Sequence, residues 1–372
     1  MTRYRDLGLT VGLLEPGPRN AITDVRGVSV GVTTLIDGDG PLRIGRGPVR
    51  TGVTVIVPTE RIGREVVFAG CHRLNGNGEM TGLEWVREAG MLSTPIAITN
   101  THSVGTVRDA LVAHEVRGRN DPDAYWSLPV AGETYDGALN DINGFHVRPE
   151  HVDEALAAAN RGRVQEGNVG GGTGMICHEF KGGTGTASRR VGSWTVGALV
   201  QANQGRRERL TVDGVPVGRE ISTSEIPSPW DEEERIARAG AGSIIVVLAT
   251  DAPLLPHQLE RVAQRAGLGV ARVGGGGEHS SGDLFLAFSI ANVGSLRSYK
   301  IDGPPAPISI SMLPDTGITD LFWAAIESTE EAILNALVAA ETLTGRDGIT
   351  ARALSHDRLL ALMARFGHGP DL

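Results

Sequence analysis

The chain has 372 residues, enough for one large domain or two ordinary ones, and 40% of them are hydrophobic, so a sizeable core is possible. Its formal net charge of −9 at pH 7 argues against a nucleic-acid binder that works by neutralising phosphates. With two cysteines, the chain has no disulfide framework. Since we see no signal peptide and no apolar run long enough to span a membrane, we expect a cytoplasmic protein.

The first two thirds of the chain contain short segments that are rich in Val, Ile and Thr and bounded by Gly, Pro or Asp. This composition is typical of β-strands. Between some of these segments, apolar residues recur at helical spacing. The pattern predicts strands at 28–35, 53–57, 66–69, 96–100 and 194–201, and helices at 104–116 and 148–160.

The composition changes at residue 222. Residues 222–241 contain Ser and Pro, then four consecutive acidic residues, then small residues, which predicts an exposed linker. A buried strand follows that begins at Ser243 and runs to Thr250. After it the pattern predicts a helix at 256–266, a glycine turn at 274–277, a strand at 284–290, a helix at 319–342 and a polar tail. Together these elements favour sheets covered by helices.

Ser243 stands where the linker meets this strand. A serine hydroxyl is a weak nucleophile unless a base lies beside it, and the α-amine of an N-terminal serine, with a pKa of about 7.7–8.0, is such a base. This chemistry requires that the Gly242–Ser243 bond be broken. Glycine suits the position before the serine, because it tolerates strained backbone geometry. A Gly-Ser pair is also common in ordinary turns before strands, so these residues alone leave both interpretations open.

The segment that surrounds Ser243 carries a family resemblance. Residues 241–259 resemble the start of the β-chain of the L-aminopeptidase/D-esterase and β-peptidyl aminopeptidase family. The resemblance extends over nearly the whole chain and keeps the same order of blocks. The other blocks are 75–82, 99–105, 133–142, 167–183 and 199–205.

The resemblance implies a single catalytic domain, 1–372, that cuts itself into an α-chain, 1–242, and a β-chain, 243–372. It implies an αββα sandwich, layered like the N-terminal-nucleophile hydrolases but with different strand connectivity. It further implies a homotetramer of αβ pairs that uses no cofactor. The expected substrates are short peptides, amino-acid amides or esters with a free amine, and the choice among L-, D- and β-amino acid derivatives stays open.

Several site residues follow from the same resemblance. Ser243 matches the nucleophile, and Ser281 and Asp283 match the pair that orients and activates it. Some relatives have Glu where this chain has Asp283, so the geometry there is expected to differ. Asn203 matches the side-chain amide of the oxyanion hole. Without the resemblance, Asp283 and Asn203 would read as ordinary turn residues.

Two further residues are predicted at the substrate-binding end of the site. Glu133 matches the carboxylate that holds the free ammonium group of the substrate, which would explain a requirement for an unblocked N-terminus. Tyr135 is assigned as a hydroxyl donor near the tetrahedral intermediate. A surface glutamate and a structural tyrosine are the corresponding ordinary interpretations.

The sequence gives little support to three other functions. The histidines and cysteines show none of the usual metal-ligand spacings, so no metal site is predicted. The glycine-rich block 167–174 matches no phosphate-binding pattern and is interpreted as close backbone packing, which disfavours a nucleotide-binding scaffold. The related ornithine acetyltransferases offer an acyl-transfer alternative, but they use Thr as nucleophile where this chain has Ser243.

Overall fold

The computed structural model describes residues 1–120, 125–237, 241–296 and 306–369. The longer strands are β1 Ser29–Asp37, β2 Val49–Val57, β3 Val67–Gly76, β5 Ile96–Asn100, β6 Val130–Thr134, β9 Gly183–Val191, β10 Trp194–Asn203, β11 Ala241–Thr250 and β12 Ser280–Ser289. The two-residue strands are β4 Met91–Leu92, β7 Ile176–Cys177, β8 Phe180–Lys181, β13 Leu343–Thr344 and β14 Thr350–Ala351. The α-helices are α1 Leu83–Ala89, α2 Val104–Arg117, α3 Pro149–Ala158, α4 Val217–Glu220, α5 Glu232–Ala237, α6 Pro256–Arg272, α7 Thr319–Ala339 and α8 His356–Arg365. None of the described helices is long and apolar enough to cross a membrane.

Two β-sheets and two pairs of helices form four layers. One sheet has the strand order β1-β2-β5-β6 and the other β4-β3-β12-β11-β10-β9. A buried apolar cluster lies between the sheets and joins Ile98 of the smaller sheet to Ile245 of the larger one. Separate clusters pack α6 and α7 onto the larger sheet and α2 and α3 onto the smaller one. The predicted αββα sandwich is thereby confirmed.

Strand β11 shows how the sequence produces these layers. It is almost entirely apolar, and successive side chains of a strand point to opposite faces of the sheet. Ile244 and Val246 lie in the cluster shared with α6 and α7, whereas Ile245 and Val247 lie in the cluster between the sheets. Ser243 continues the second series, so its side chain faces the space between the sheets.

The glycine-rich block 167–174 packs closely against neighbouring backbone. A Cβ on Gly171 would lie 2.6 Å from the carbonyl oxygen of Ile98, and a Cβ on Gly172 would lie 2.2 Å from the backbone nitrogen of Thr184. Both distances are shorter than real Cβ contacts, so neither position has room for a side chain. The interpretation of this block as close backbone packing is confirmed.

Several predicted ends differ from the structure by more than two residues: for example, β2 begins at Val49, β3 extends to Gly76, α6 to Arg272, and β12 begins at Ser280. Three further differences lie in or after the segment that leads to Ser243. The strand expected to start at Ser243 begins at Ala241, because its backbone already pairs with β12 before the serine. The segment 222–241 is more than an exposed linker, since Glu232–Ala237 form a helix; residues 238–240 lie outside the described ranges. The predicted polar tail contains helix α8, which buries Leu359 and Leu362 on one face.

Two strands that carry or support the site were missed. Strand β6 reads VAGET and strand β9 reads GTGTASRRV. Both are buried along most of their length, but their glycine and polar content hides the apolar pattern by which strands are recognised.

Candidate active site

Ser243 lies near the start of β11, with β10 on one side and β12 on the other. In the sheet register it is opposite Asn203 of β10 and opposite Gly282 of β12. Its side chain is largely buried. The hydroxyl accepts a hydrogen bond from the Gly282 N–H at 3.1 Å and donates one to the carbonyl oxygen of Gly242 at 2.6 Å. The structure therefore holds this hydroxyl against the peptide group that precedes it.

Gly242 occupies a position that only glycine fits. Its φ of 150° lies in a region that other residues rarely adopt. A Cβ there would lie 2.9 Å from the carbonyl oxygen of Asn203 and 3.0 Å from the Cα of Gln204. The backbone of the loop after β10 is thus pressed against the residue before the serine.

Asn203 faces the same side of the sheet as Ser243. Its Oδ1 accepts a hydrogen bond from the Ile176 N–H at 2.8 Å, and its Nδ2 donates one to the carbonyl oxygen of Tyr135 at 3.1 Å. These two contacts fix the amide in place. Because an amide nitrogen carries two hydrogens, one donor remains for a group bound beside Ser243.

Glu133 reaches the site from β6 of the facing sheet. Its carboxylate is buried and accepts hydrogen bonds from the Glu79 N–H at 2.8 Å and from the Thr101 hydroxyl. Both of these donors are neutral groups. Burial raises the pKa of Glu133 above its ordinary range, and the hydrogen bond from Thr101 opposes that shift. A positively charged ligand would remove the cost of burying this charge.

These residues line a single cavity of about 610 Å³. Such a volume suits a small molecule or a short peptide. Tyr135 is half-exposed on the cavity wall. The lining includes Glu133, Tyr135, Ile176, Asn203, Arg206, Trp230, Arg235 and Ser243.

Ser281 and Asp283 lie on the other face of the sheet. Residues of β12 at odd positions, such as Phe285, belong to the cluster under α6 and α7, and the alternation places Ser281 and Asp283 on that side. The Ser281 hydroxyl donates a 2.6 Å hydrogen bond to Asp283. Burial raises the pKa of Asp283, while hydrogen bonds from Ser281 and the Ile244 backbone oppose this shift. The pair is therefore next to the backbone of Gly242–Ile244, and the structure does not bring it into the cavity.

Several residues of the cavity were not predicted from the sequence. Thr101 lies within the block 99–105 that carries the resemblance, so a signal for it was present. Trp230 and Arg235 come from the segment interpreted as an exposed linker. The Arg235 guanidinium is held by Glu179 at 2.7 Å, which fixes this segment to the cavity wall. The residues that the structure describes contain no cluster of three or more His, Cys, Asp or Glu suited to bind a metal ion.

The layered fold and its serine at the head of a central strand define a hydrolase with an Ntn-like architecture. The model of peptidase family S58 matches residues 20–351, and the chain belongs to that family.

Relatives of known activity resemble the chain over nearly its full length. A β-peptidyl aminopeptidase, BapA, from Sphingosinicella microcystinivorans is 50% identical over 98% of this chain and 92% of its own length. The structure of a β-aminopeptidase from a Burkholderia species has a TM-score of 0.90 at 54% identity and covers 98% of this chain and 99% of its own. The L-aminopeptidase D-Ala-esterase/amidase from Ochrobactrum anthropi, a prototype for the serine aminopeptidases, has a TM-score of 0.88 at 46% identity, covering 98% of this chain and 99% of its own.

These comparisons confirm the predicted family and enzyme class. The chain is a hydrolase of the serine aminopeptidase class. The relatives named above are aminopeptidases, and they give no support to the acetyltransferase alternative.

Proposed function

We propose that the chain cleaves its own Gly242–Ser243 bond and that Ser243 then acts as the N-terminal nucleophile of an aminopeptidase. The observation that carries this proposal is the contact between the Ser243 hydroxyl and the Gly242 carbonyl group, 2.6 Å between the two oxygens. The Gly282 N–H holds the hydroxyl oxygen, and the backbone at Gly242 is in a conformation that other residues avoid.

In the cleavage step, the Ser243 oxygen attacks the Gly242 carbonyl carbon. The bond to the Ser243 nitrogen breaks, the hydroxyl proton passes to that nitrogen, and an ester remains. Water hydrolyses the ester and leaves a carboxylate on Gly242 and a free amine and hydroxyl on Ser243. The products are an α-chain, 1–242, and a β-chain, 243–372, which stay together as one catalytic domain through the pairing of β10 with β11.

In the hydrolytic cycle, the free amine of Ser243 takes the hydroxyl proton as the oxygen attacks the substrate carbonyl. The Asn203 amide, fixed by two hydrogen bonds, donates its remaining N–H to the developing oxyanion. The proton then passes to the leaving amine or alcohol. Water releases the acyl group from Ser243 and regenerates the enzyme.

Ser281 and Asp283 serve this cycle from the helix-facing side of the sheet. In the parallel register Ser281 is opposite Gly242 and Asp283 is opposite Ile244, so the pair flanks the backbone nitrogen of Ser243. A carboxylate there stabilises the Ser243 amine after it has taken the proton. We assign the pair to the amine of Ser243 rather than to its hydroxyl.

Glu133 binds the ammonium group of the substrate, and the Tyr135 hydroxyl acts near the tetrahedral intermediate. Support for the role of Glu133 is its buried carboxylate in the cavity of Ser243, held by neutral donors. The half-exposed Tyr135 side chain on the same wall supports the second role. The substrates are short peptides, amino-acid amides or esters with a free amine, and the names of the relatives favour β-amino acid derivatives among them.

We also propose that the αβ pairs assemble into a homotetramer. The family resemblance is the basis of this proposal, and exposed large apolar side chains are available for an interface. They include Ile308, Ile310, Met312 and Trp323. A native mass of four times 39.2 kDa is expected by light scattering, and a native mass of one chain would contradict the proposal. The cytoplasmic location stays a prediction.

The variant Ser243→Ala tests the function. It should remain a single chain of 39.2 kDa and lose the hydrolysis of aminoacyl p-nitroanilides by at least about 10⁴-fold. Ser224→Ala, which removes an exposed hydroxyl outside the cavity, should still cleave itself and hydrolyse the substrate. Splitting and hydrolysis by Ser243→Ala would show that another residue is the nucleophile.

A further inference from the structure

We propose that Arg206 binds the C-terminal carboxylate of the substrate, so that dipeptides with both ends free are the preferred peptide class. This inference rests on the proposed function. It adds a second charged anchor to the one that Glu133 provides. The anchor lies on the opposite side of Ser243.

Arg206 lies in the same cavity as the proposed nucleophile. It follows Asn203, the last residue of β10, in the loop that turns past the start of β11. That loop is close to the reacting bond, because a Cβ on Gly242 would lie 3.0 Å from the Cα of Gln204 and 3.5 Å from the nitrogen of Gly205. The backbone that carries Arg206 therefore lies on the β10 side of Ser243.

Among the described residues, Arg206 forms only one long ion pair. Its ion pair with Glu208 has an N···O distance of 3.6 Å, longer than a charge-assisted hydrogen bond. Glu208 is itself exposed and also contacts Arg235. In contrast, Arg235 has short contacts of 2.7 Å with both Glu179 and Glu232. Of the two arginines in the cavity wall, Arg206 is the one with donors left for a ligand.

Glu133 lies on the other side of Ser243. A Cβ on Gly78 would lie 3.2 Å from both the Glu133 Oε1 and the Cα of Gly282, so this carboxylate is beside β12. Strands β12 and β10 are the two neighbours of β11, and two strand spacings separate them by roughly 10 Å. The carboxylate and the guanidinium thus flank the nucleophile from opposite sides.

A dipeptide matches this arrangement in length and in charge. Two extended residues span roughly 7 Å, and Glu133 and Arg206 both line the cavity that holds Ser243. The ammonium group is then next to Glu133, the scissile carbonyl next to Ser243, and the terminal carboxylate next to Arg206. A guanidinium forms paired hydrogen bonds with a carboxylate, which an uncharged C-terminal amide cannot reproduce.

The test compares each dipeptide with its own C-terminal amide. The substrates are β-alanyl-L-alanine and L-alanyl-L-alanine, each as the free acid and as the amide. For the faster pair, the wild-type enzyme should favour the acid by about tenfold or more in kcat/KM, mainly through a lower KM. Arg206→Gln should bring this ratio close to one, and Arg206→Lys should give an intermediate ratio. Because both substrates are measured on one preparation, a loss of folded enzyme cancels from the ratio.

Arg209→Gln is the matched control, since Arg209 is exposed in the same loop. It should keep the wild-type ratio. A wild-type ratio near one, or a ratio that Arg206→Gln leaves unchanged, would overturn the carboxylate subsite while the aminopeptidase function stands. Failure of the wild-type enzyme to hydrolyse any of the four compounds would instead contradict the proposed function.

Discussion

Two buried glutamates in this molecule have opposite surroundings. Glu331 of α7 contacts Arg189 at 2.6 Å and Arg5 at 2.9 Å and accepts a hydrogen bond from Asn20. Glu133 is also buried, but its described hydrogen bonds come from a hydroxyl and a backbone N–H. We call Arg5, Asn20, Arg189, Glu327 and Glu331 the α7 cluster.

The difference in partners distinguishes a carboxylate that stabilises the fold from one that is suited to bind a cationic ligand. A buried charge is costly unless it is paired, and the α7 cluster supplies its own cations. Glu133 lines a cavity instead, and in the proposed function its cationic partner is the ammonium group of the substrate. Changes in the α7 cluster should therefore affect stability, and changes around Glu133 should affect binding.

Removal of the central cation should cause the largest effect on stability. Arg189→Met leaves Glu327 and Glu331 buried without their shared partner and should lower the free energy of unfolding by about 3–5 kcal/mol. Chemical denaturation in the Ser243→Ala background measures this on a single chain. Arg108→Met, which breaks an exposed pair with Asp109, should cost less than about 1 kcal/mol. An equal decrease in the free energy of unfolding for the two variants would mean that the α7 cluster does not contribute specifically to stability.

Neutralisation of Glu133 should affect the substrate instead of the fold. Glu133→Gln should lower kcat/KM for substrates with a free amine by about 10–100-fold, as expected when a hydrogen bond to a charged group is lost. Glu84→Gln removes the same charge from an exposed helix position and should change kcat/KM less than about threefold. A stability loss with unchanged KM would place Glu133 with the structural carboxylates.

The acidic side of the pH profile follows from the same residue. Because burial raises the pKa of Glu133, its carboxylate becomes protonated at a higher pH than an ordinary glutamate. KM should therefore rise as pH falls through that raised value, and Glu133→Gln should lack this dependence. If KM of Glu133→Gln rises at low pH as it does in the wild type, the titrating group is not Glu133.

Thr101→Val should affect KM less than Glu133→Gln does, and it tests whether Glu133 is the group that titrates. Its hydroxyl donates to Glu133 and lowers the pKa of that carboxylate, so its removal should move the acidic limb to higher pH. KM at neutral pH should rise about two- to tenfold, with kcat nearly constant. Thr106→Val provides a control in α2, since Thr106 is partly buried, as Thr101 is, and lies outside the cavity lining. A shift of equal size in the control would show that the effect is not local.

The sequence predicted the layers better than it predicted the site. Strand β11 and helix α6 have strong apolar patterns, and both elements were predicted; the strand begins two residues before its predicted start, and the helix continues six residues beyond its predicted end at 266. The strand that carries Glu133 was missed because VAGET has too few apolar residues to show alternation. Glu133 itself was identified by family resemblance, which does not depend on local pattern.

Other features of the site depend on contacts between segments that are distant in the sequence. Asp283 and Ser281 match an activating pair in sequence, yet only the register of β12 against β11 shows that they face away from the Ser243 hydroxyl. Trp230 and Arg235 read as parts of a polar linker, and only the ion pair with Glu179 reveals that this segment is part of the cavity wall. The spacing of residues along the chain does not predict such contacts.

The most direct test of the central claim is the intact mass of the purified wild-type protein under denaturing conditions after incubation at neutral pH. We expect two species, a larger one that ends at Gly242 and a smaller one that begins at Ser243 with a free amine. A single 39.2 kDa species that still hydrolyses aminoacyl substrates would contradict the N-terminal nucleophile.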